Sequence, residues 1–211
     1  MPKIKKPSKA PAIDMTPMVD LFSVILIFLM LTTTFRAQEP APVDTPFSIS
    51  EKPTPDFDLM TVVVSNDDRI FFNCDNGPDT LLAFRPKILA AMGERYSIEF
   101  TPEELRLFEK YPSSIGVPIQ NMKEFFAAKD AGDKAALQTG IPIDSLDNQL
   151  SLWILFARQI NPNIDACIKA DANTKFPTVK KVLDVLQDRN VNRFNLITSL
   201  ESANVNLETT E

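Results

Sequence analysis

The stretch Met18-Val-Asp-Leu-Phe-Ser-Val-Ile-Leu-Ile-Phe-Leu-Met-Leu-Thr-Thr-Thr-Phe35 decides the architecture. It is 18 residues long, contains neither Gly nor Pro, and carries one charge, Asp20. As a helix it is about 27 Å long, close to the roughly 30 Å of bilayer hydrocarbon. Just upstream, Asp14-Met-Thr-Pro17 reads as a helix start. Asp caps, and Pro falls early in the first turn, where its missing N–H does no harm. The expectation is a transmembrane helix over residues 16–35.

The flanks orient it. Lys3, Lys5, Lys6 and Lys9 precede the span, and Arg36 alone follows closely. The positive-inside rule then keeps residues 1–15 as a cytoplasmic basic tail and places the rest of the chain in the periplasm. From Arg36 onward the chain holds 18 basic and 26 acidic residues, against an overall net charge of -6. A membrane between a basic tip and an acidic body accounts for that split. A cleaved signal peptide is the competing reading, since the n-region is basic and the apolar core 21–31 is short. Against it, Phe35-Arg36-Ala37-Gln38 fits a small-x-small cleavage site poorly, and a signal peptide has no use for Asp20.

Asp20 lies about one turn inside the cytoplasmic end, and an interfacial Asp still touching water is the plainer reading. Its neighbours argue for more. Thr16, Asp20, Ser23, Ile27 and Thr34 fall on one helical stripe, with Val24 and Leu31 filling in. The opposite surface, including Phe22, Ile25, Leu26 and Leu29, is wholly apolar. A polar stripe suits another subunit or a narrow water path rather than lipid. Removal from water favours the neutral form of a carboxylic acid. Alternate access to two compartments would let Asp20 load and release a proton. The hydroxyls of Ser23 and Thr34 either support a water chain or bond back to their own helix.

Composition excludes several functions. An acidic chain does not suit nucleic acid, whose binding needs a basic face. There is no His, which removes His-based triads and imidazole ligands. Cys74 and Cys167 are too few for a four-cysteine zinc site. They read either as one disulfide in an oxidising compartment or as two buried free thiols. No phosphate loop, nucleophile elbow or paired-carboxylate pattern appears. No enzyme, cofactor or metal is expected. Asp67 and Asp68 read as a solvated turn, and the acids around 165–171 as structural.

Residues 36–56 hold five prolines and read as a semi-extended periplasmic linker, with Ile49 and its neighbours available to add a strand to a partner. Residues 59–66 and 69–73 read as a β-hairpin turning at Asp67-Asp68. Residues 76–79 are a loop, and 74–144 are mainly helical. Helices are expected over 86–95, over 102–110 behind the capping box Thr101-Pro-Glu-Glu104, and over 119–129, before an acidic, Ala-rich turn. An amphipathic helix over 145–159 carries Leu146, Leu150, Trp153, Ile154 and Ala157 on one side. A helix over 177–188 turns Val179, Val182, Leu183 and Leu186 inward, and Asn190 suits its C-terminal cap. Residues 202–211 form a polar tail. The fold expected for 57–201 is an α/β periplasmic domain, a small mixed sheet with helices on one face and a helical insertion.

The motif Thr16-Pro17-Met18-Val19-Asp20, opening an apolar helix that ends in Thr, resembles the ExbD/TolR family. A second match follows far downstream in Ala166-Cys-Ile-Lys-Ala-Asp171, Phe176-Pro-Thr-Val-Lys-Lys-Val-Leu-Asp-Val-Leu186 and Arg193-Phe-Asn-Leu-Ile-Thr198, which looks like the family's strand–helix–strand unit. With the hairpin, the matches cover about half of the chain, and 74–144 stand between them as an insertion. The resemblance implies an inner-membrane, single-pass subunit whose helices pair as a homodimer inside an ExbB/TolQ-like polytopic ring. Driven by the proton gradient, it would do mechanical work on the outer membrane through a TonB-like or TolA-like protein. Asp20 falls on the family's essential membrane aspartate. The alternative is a membrane-anchored periplasmic binding or scaffold module with no proton role; a hydrolase is a third reading.

Overall fold

The computed structural model of the chain describes residues 15–32, 39–48, 55, 57–76, 82–144 and 147–200. The chain divides into two compact units, residues 1–37 and 38–211. The first holds α1, Thr16–Thr32, an unbroken helix of 17 residues. The Met15 carbonyl accepts the N–H groups of Met18 and Val19, both at 3.1 Å. Pro17 stands inside the first turn, where no N–H is required. Asp14, expected to cap, lies outside the described residues. No residue of α1 is buried. The described helix is about 25 Å long, and among the described residues no helix is long and apolar enough to cross a membrane.

The second unit is built on a mixed sheet in the order β3-β2-β4-β5. Its strands are β2 Leu59–Val64, β3 Ile70–Cys74, β4 Asp165–Ala170 and β5 Phe194–Leu196. β2 and β3 form the expected antiparallel hairpin, with Asp68 in the left-handed region at φ 62°. β2–β4 and β4–β5 are parallel, so each needs a long crossover. The pleat sorts side chains cleanly. Met60, Val62, Val64, Ile70, Phe72, Cys74, Ala166 and Ile168 join the main core, while Val63 and Phe71 face the other way. Met60 stands opposite Cys74 and Ala166, whereas Thr61 stands opposite Cys167. The two cysteines therefore lie on opposite faces with β2 between them, about 10 Å apart by strand spacing, too far for a disulfide. Both are free and buried.

Every helix that contributes to the main core packs on one face. The helices are α2 Phe84–Tyr96, α3 Pro102–Lys110, α4 Met122–Ala127, α5 Ala131–Leu137, α6 Gln149–Ile160 and α7 Phe176–Asp188. The capping box forms as expected. Thr101 Oγ1 accepts from the Glu104 N–H at 3.3 Å, and Glu104 Oε2 accepts from the Thr101 N–H at 2.7 Å. α6 begins behind Asn148, whose Oδ1 accepts from the Ser151 N–H at 3.0 Å, and it buries Leu150, Trp153, Ile154 and Ala157. Leu146 lies outside the described residues. α7 buries Val182, Val185 and Leu186, and Asn190 follows it at φ 59°.

Two expectations need correction. Residues 119–129 form a 3-10 turn, Ile119–Asn121, before the short α4 rather than one helix. The Ala-rich stretch read as a turn is the helix α5; Ala131, Ala135, Ala136 and Leu137 supply strong local helix propensity.

The other face of the sheet carries residues 39–48. They are extended, as their prolines dictate, but they are docked rather than free. Ala41 is 2% exposed against Val63 and Phe71. Lys169 Nζ donates to both Glu39 carboxylate oxygens, at 2.7 and 2.8 Å. The Asp44 N–H donates to Asp171 Oδ2 at 2.9 Å, and the Asp44 carbonyl accepts from the Ala172 N–H at 2.8 Å. The segment ends in β1, Phe47–Ser48, paired in parallel with β6, Ser199–Leu200. Ile49 lies outside the described residues.

Candidate functional site

The sequence-predicted site residues lie on α1. Thr16 is its first residue and Pro17 its second, and Asp20 follows one turn in. Ser23 and Ile27 continue the same stripe, so the row from Thr16 to Ile27 spans about 16 Å along the axis. Thr34 lies outside the described residues. α1 is continuous from Thr16 to Ile27, and its one Pro, Pro17, stands in the first turn where it forms no kink.

Among the described residues no side chain pairs with the Asp20 carboxylate, and Ser23 Oγ makes no hydrogen bond. Thr32 behaves differently: its hydroxyl bonds back to the Phe28 and Leu29 carbonyls at 2.9 and 3.2 Å. The apolar side chains around Asp20 are all exposed, Leu21 at 60% and Phe22 at 63%. A contiguous apolar surface of this extent marks contact with a membrane or another protein.

In the second unit Asp67, Asp68 and Asp171 are held in ion pairs or hydrogen bonds. Asp67 pairs with Arg69 at 3.0 Å. Asp68 accepts from Thr178 Oγ1 at 2.7 Å and lies 3.5 Å from Lys175 Nζ. The Thr178 hydrogen bond, helped by Lys175, holds the Asp68 carboxyl below its ordinary value. The Asn173 and Asp44 backbone N–H groups do the same for Asp171. Burial pushes the Cys74 thiol up to about 12. Among the described residues no group of His, Cys, Asp and Glu is placed to hold a metal ion.

Sequence reasoning missed the clamp that docks residues 39–48. Glu39 and Lys169 are 130 positions apart, and Asp44 and Asp171 are 127 apart. No local pattern announces pairs so distant.

The family model for the biopolymer transport protein ExbD/TolR matches residues 6–201. The match takes in α1, the four-stranded sheet, the helices of 84–160 and α7. No curated protein and no solved structure matches the chain. A match over nearly the whole chain settles its kinship: it belongs to the ExbD/TolR family of biopolymer transport proteins.

Proposed function

We propose that this protein is a single-pass inner-membrane subunit of a proton-driven motor, and that Asp20 carries the proton. The observation that carries this reading is one unpaired carboxylate, behind Thr16-Pro17, on an unbroken helix whose apolar side chains are all exposed. In sequence the apolar run continues past Thr32 to Phe35. A helix over 16–35 is about 30 Å long, enough to span. The lysines before it support a cytoplasmic start for that helix and a periplasmic 38–211 unit.

A charged carboxylate near the middle of a membrane helix costs about 2.5–3.5 kcal/mol, and less near the interface where Asp20 lies. Protonation removes that cost. One charge moved through 100 mV yields roughly 2.3 kcal/mol, an amount comparable to the cost of burying the ion. Neutralising Asp20 on one side of the membrane and ionising it on the other therefore biases how α1 sits against its neighbours. In this reading those neighbours are a second copy of the chain and a ring of an ExbB/TolQ-like protein. The Thr16–Ser23–Ile27 stripe faces them, with Thr34 at its far end. A TonB-like or TolA-like protein then takes the work to the outer membrane.

The test is Asp20→Asn, which keeps the shape and removes the titration. Co-expressed with the polytopic partner, it is expected to co-purify at wild-type levels and to lose transport driven by the proton gradient. An assembled complex that works normally would overturn the proton role and reduce α1 to an anchor.

A further inference from the structure

We propose that the cavity between the C-terminal end of α2 and the start of α6 binds a small dianionic ligand, a phosphate monoester or a dicarboxylate, held between Arg95 and Arg189. The cavity is about 390 Å³, within the size range of small-molecule sites. Arg95 comes from the last turn of α2, and Arg189 is the C-cap just after α7.

The donor and acceptor balance of the walls points to an anion. Arg189 Nε donates to Ser151 Oγ at 2.6 Å, which fixes the guanidinium and leaves its terminal N–H groups without a partner among the described residues. Ser151 is 6% exposed, and having accepted from Arg189 it still has its own O–H to donate. Asn148 accepts with Oδ1 from the Ser151 N–H and keeps its NH₂ as donor. Among the described residues no carboxylate lies within ion-pair distance of Arg95 or Arg189.

The one acid on the wall, Asp147, is already engaged. Tyr96 Oη donates to its Oδ1, and Gln149 Nε2 and Gln120 Nε2 donate to its Oδ2 at 2.7 and 3.5 Å. Two cations, the anchored Arg189 and the exposed Arg95, and two further donors thus face a space whose one carboxylate already accepts three hydrogen bonds. Guanidinium forks match the paired oxygens of carboxylate and phosphate. The neighbouring cavity lined by Arg158 and Asp165 shows the contrast. There Arg158 donates to the Arg189 and Asn190 carbonyls, at 3.4 and 2.8 Å, and a carboxylate stands on the wall.

The test titrates the full chain in detergent with inorganic phosphate and, separately, with malonate, each against chloride at equal ionic strength. The readouts are the thermal midpoint and the fluorescence of Trp153, the single tryptophan, two residues along α6 from Ser151. A saturable rise in midpoint beyond chloride is expected with at least one of the two anions, and the tighter one names the ligand class. Arg95→Gln, at an exposed position that does not threaten folding, is expected to weaken binding about tenfold or more. Arg189→Gln does the same, and Asp20→Asn leaves binding unchanged. Shifts no larger than those of chloride, or an Arg95→Gln protein that binds like wild type, would overturn the site.

Discussion

At the scale of single residues, Gly93 fixes how α2 ends. A Cβ there would lie 2.5 Å from the Ile98 carbonyl oxygen and 2.8 Å from the Phe100 ring. That carbonyl is backbone, and the Ile98 N–H donates in turn to the Gly93 carbonyl at 2.8 Å, so the two strands of chain have no freedom to part. Gly93→Ala is therefore expected to cost ~1–3 kcal/mol, read as a lowered urea midpoint. The cysteines make a second prediction. Cys74 is 5% exposed and Cys167 is fully buried, and burial raises both thiols. At pH 8 neither should react with a thiol reagent in the native protein, and both should react in denaturant, even after exposure to oxidant. One reactive thiol in the folded state, or a bridged pair, would contradict the sheet register. That these residues belong to a core was legible in the sequence. Which face each one occupies was not, because the parity of a strand is set by pairings made more than a hundred residues away.

At the scale of elements, local signals and distant ones part company. The capping box of α3 was readable because Thr101 and Glu104 are three residues apart, and Thr101→Ala is expected to cost ~1 kcal/mol. α5 is not legible as a helix in the sequence, because its seven residues bury nothing and leave no apolar period. The docked segment 39–48 was legible only as extended chain. Its clamp predicts a pH signature. Asp171 has its carboxyl held below the ordinary 3.8 by the Asn173 and Asp44 N–H groups. A depressed folded-state value means that the ionised form stabilises the fold. That stabilisation is complete above the unfolded-state value and is lost as pH falls through the lower folded-state value. Asp171→Asn should therefore lower the thermal midpoint at neutral pH. The gap to wild type should stay constant down to about pH 5 and close in more acidic solution. A gap independent of pH throughout would show that the carboxylate contributes through shape alone.

At the scale of the whole molecule, the stretch 74–144, which the sequence left as an insertion without a role, forms much of the core. Ile88, Leu89, Met92, Phe108, Val117, Ile119, Met122 and Phe125 are buried in one cluster with the strands and α6. Phe108 stacks on Trp153 at 5.9 Å, and Trp153 in turn meets Phe72 of β3 at 5.6 Å. The same stretch closes the outer edge of the sheet. Phe72 and Ile115 exchange both backbone hydrogen bonds at 2.8 Å, and the Ile141 N–H donates to the Ile70 carbonyl at 2.8 Å. An open edge would otherwise invite strands from other chains. Phe108→Ala, which removes one ring from this layer, is expected to cost ~3–5 kcal/mol. Excising 78–144 removes α2 to α5 from this layer and uncovers β3. The shortened chain should then lose the near-ultraviolet signal of Trp153, lose cooperative unfolding in urea and aggregate. If it instead unfolded cooperatively with Trp153 still ordered, the hairpin and the β4–α7–β5 unit would be a fold complete in themselves. The helical layer would then be an addition whose purpose has to be sought outside stability, beginning with the cavity beside Arg95.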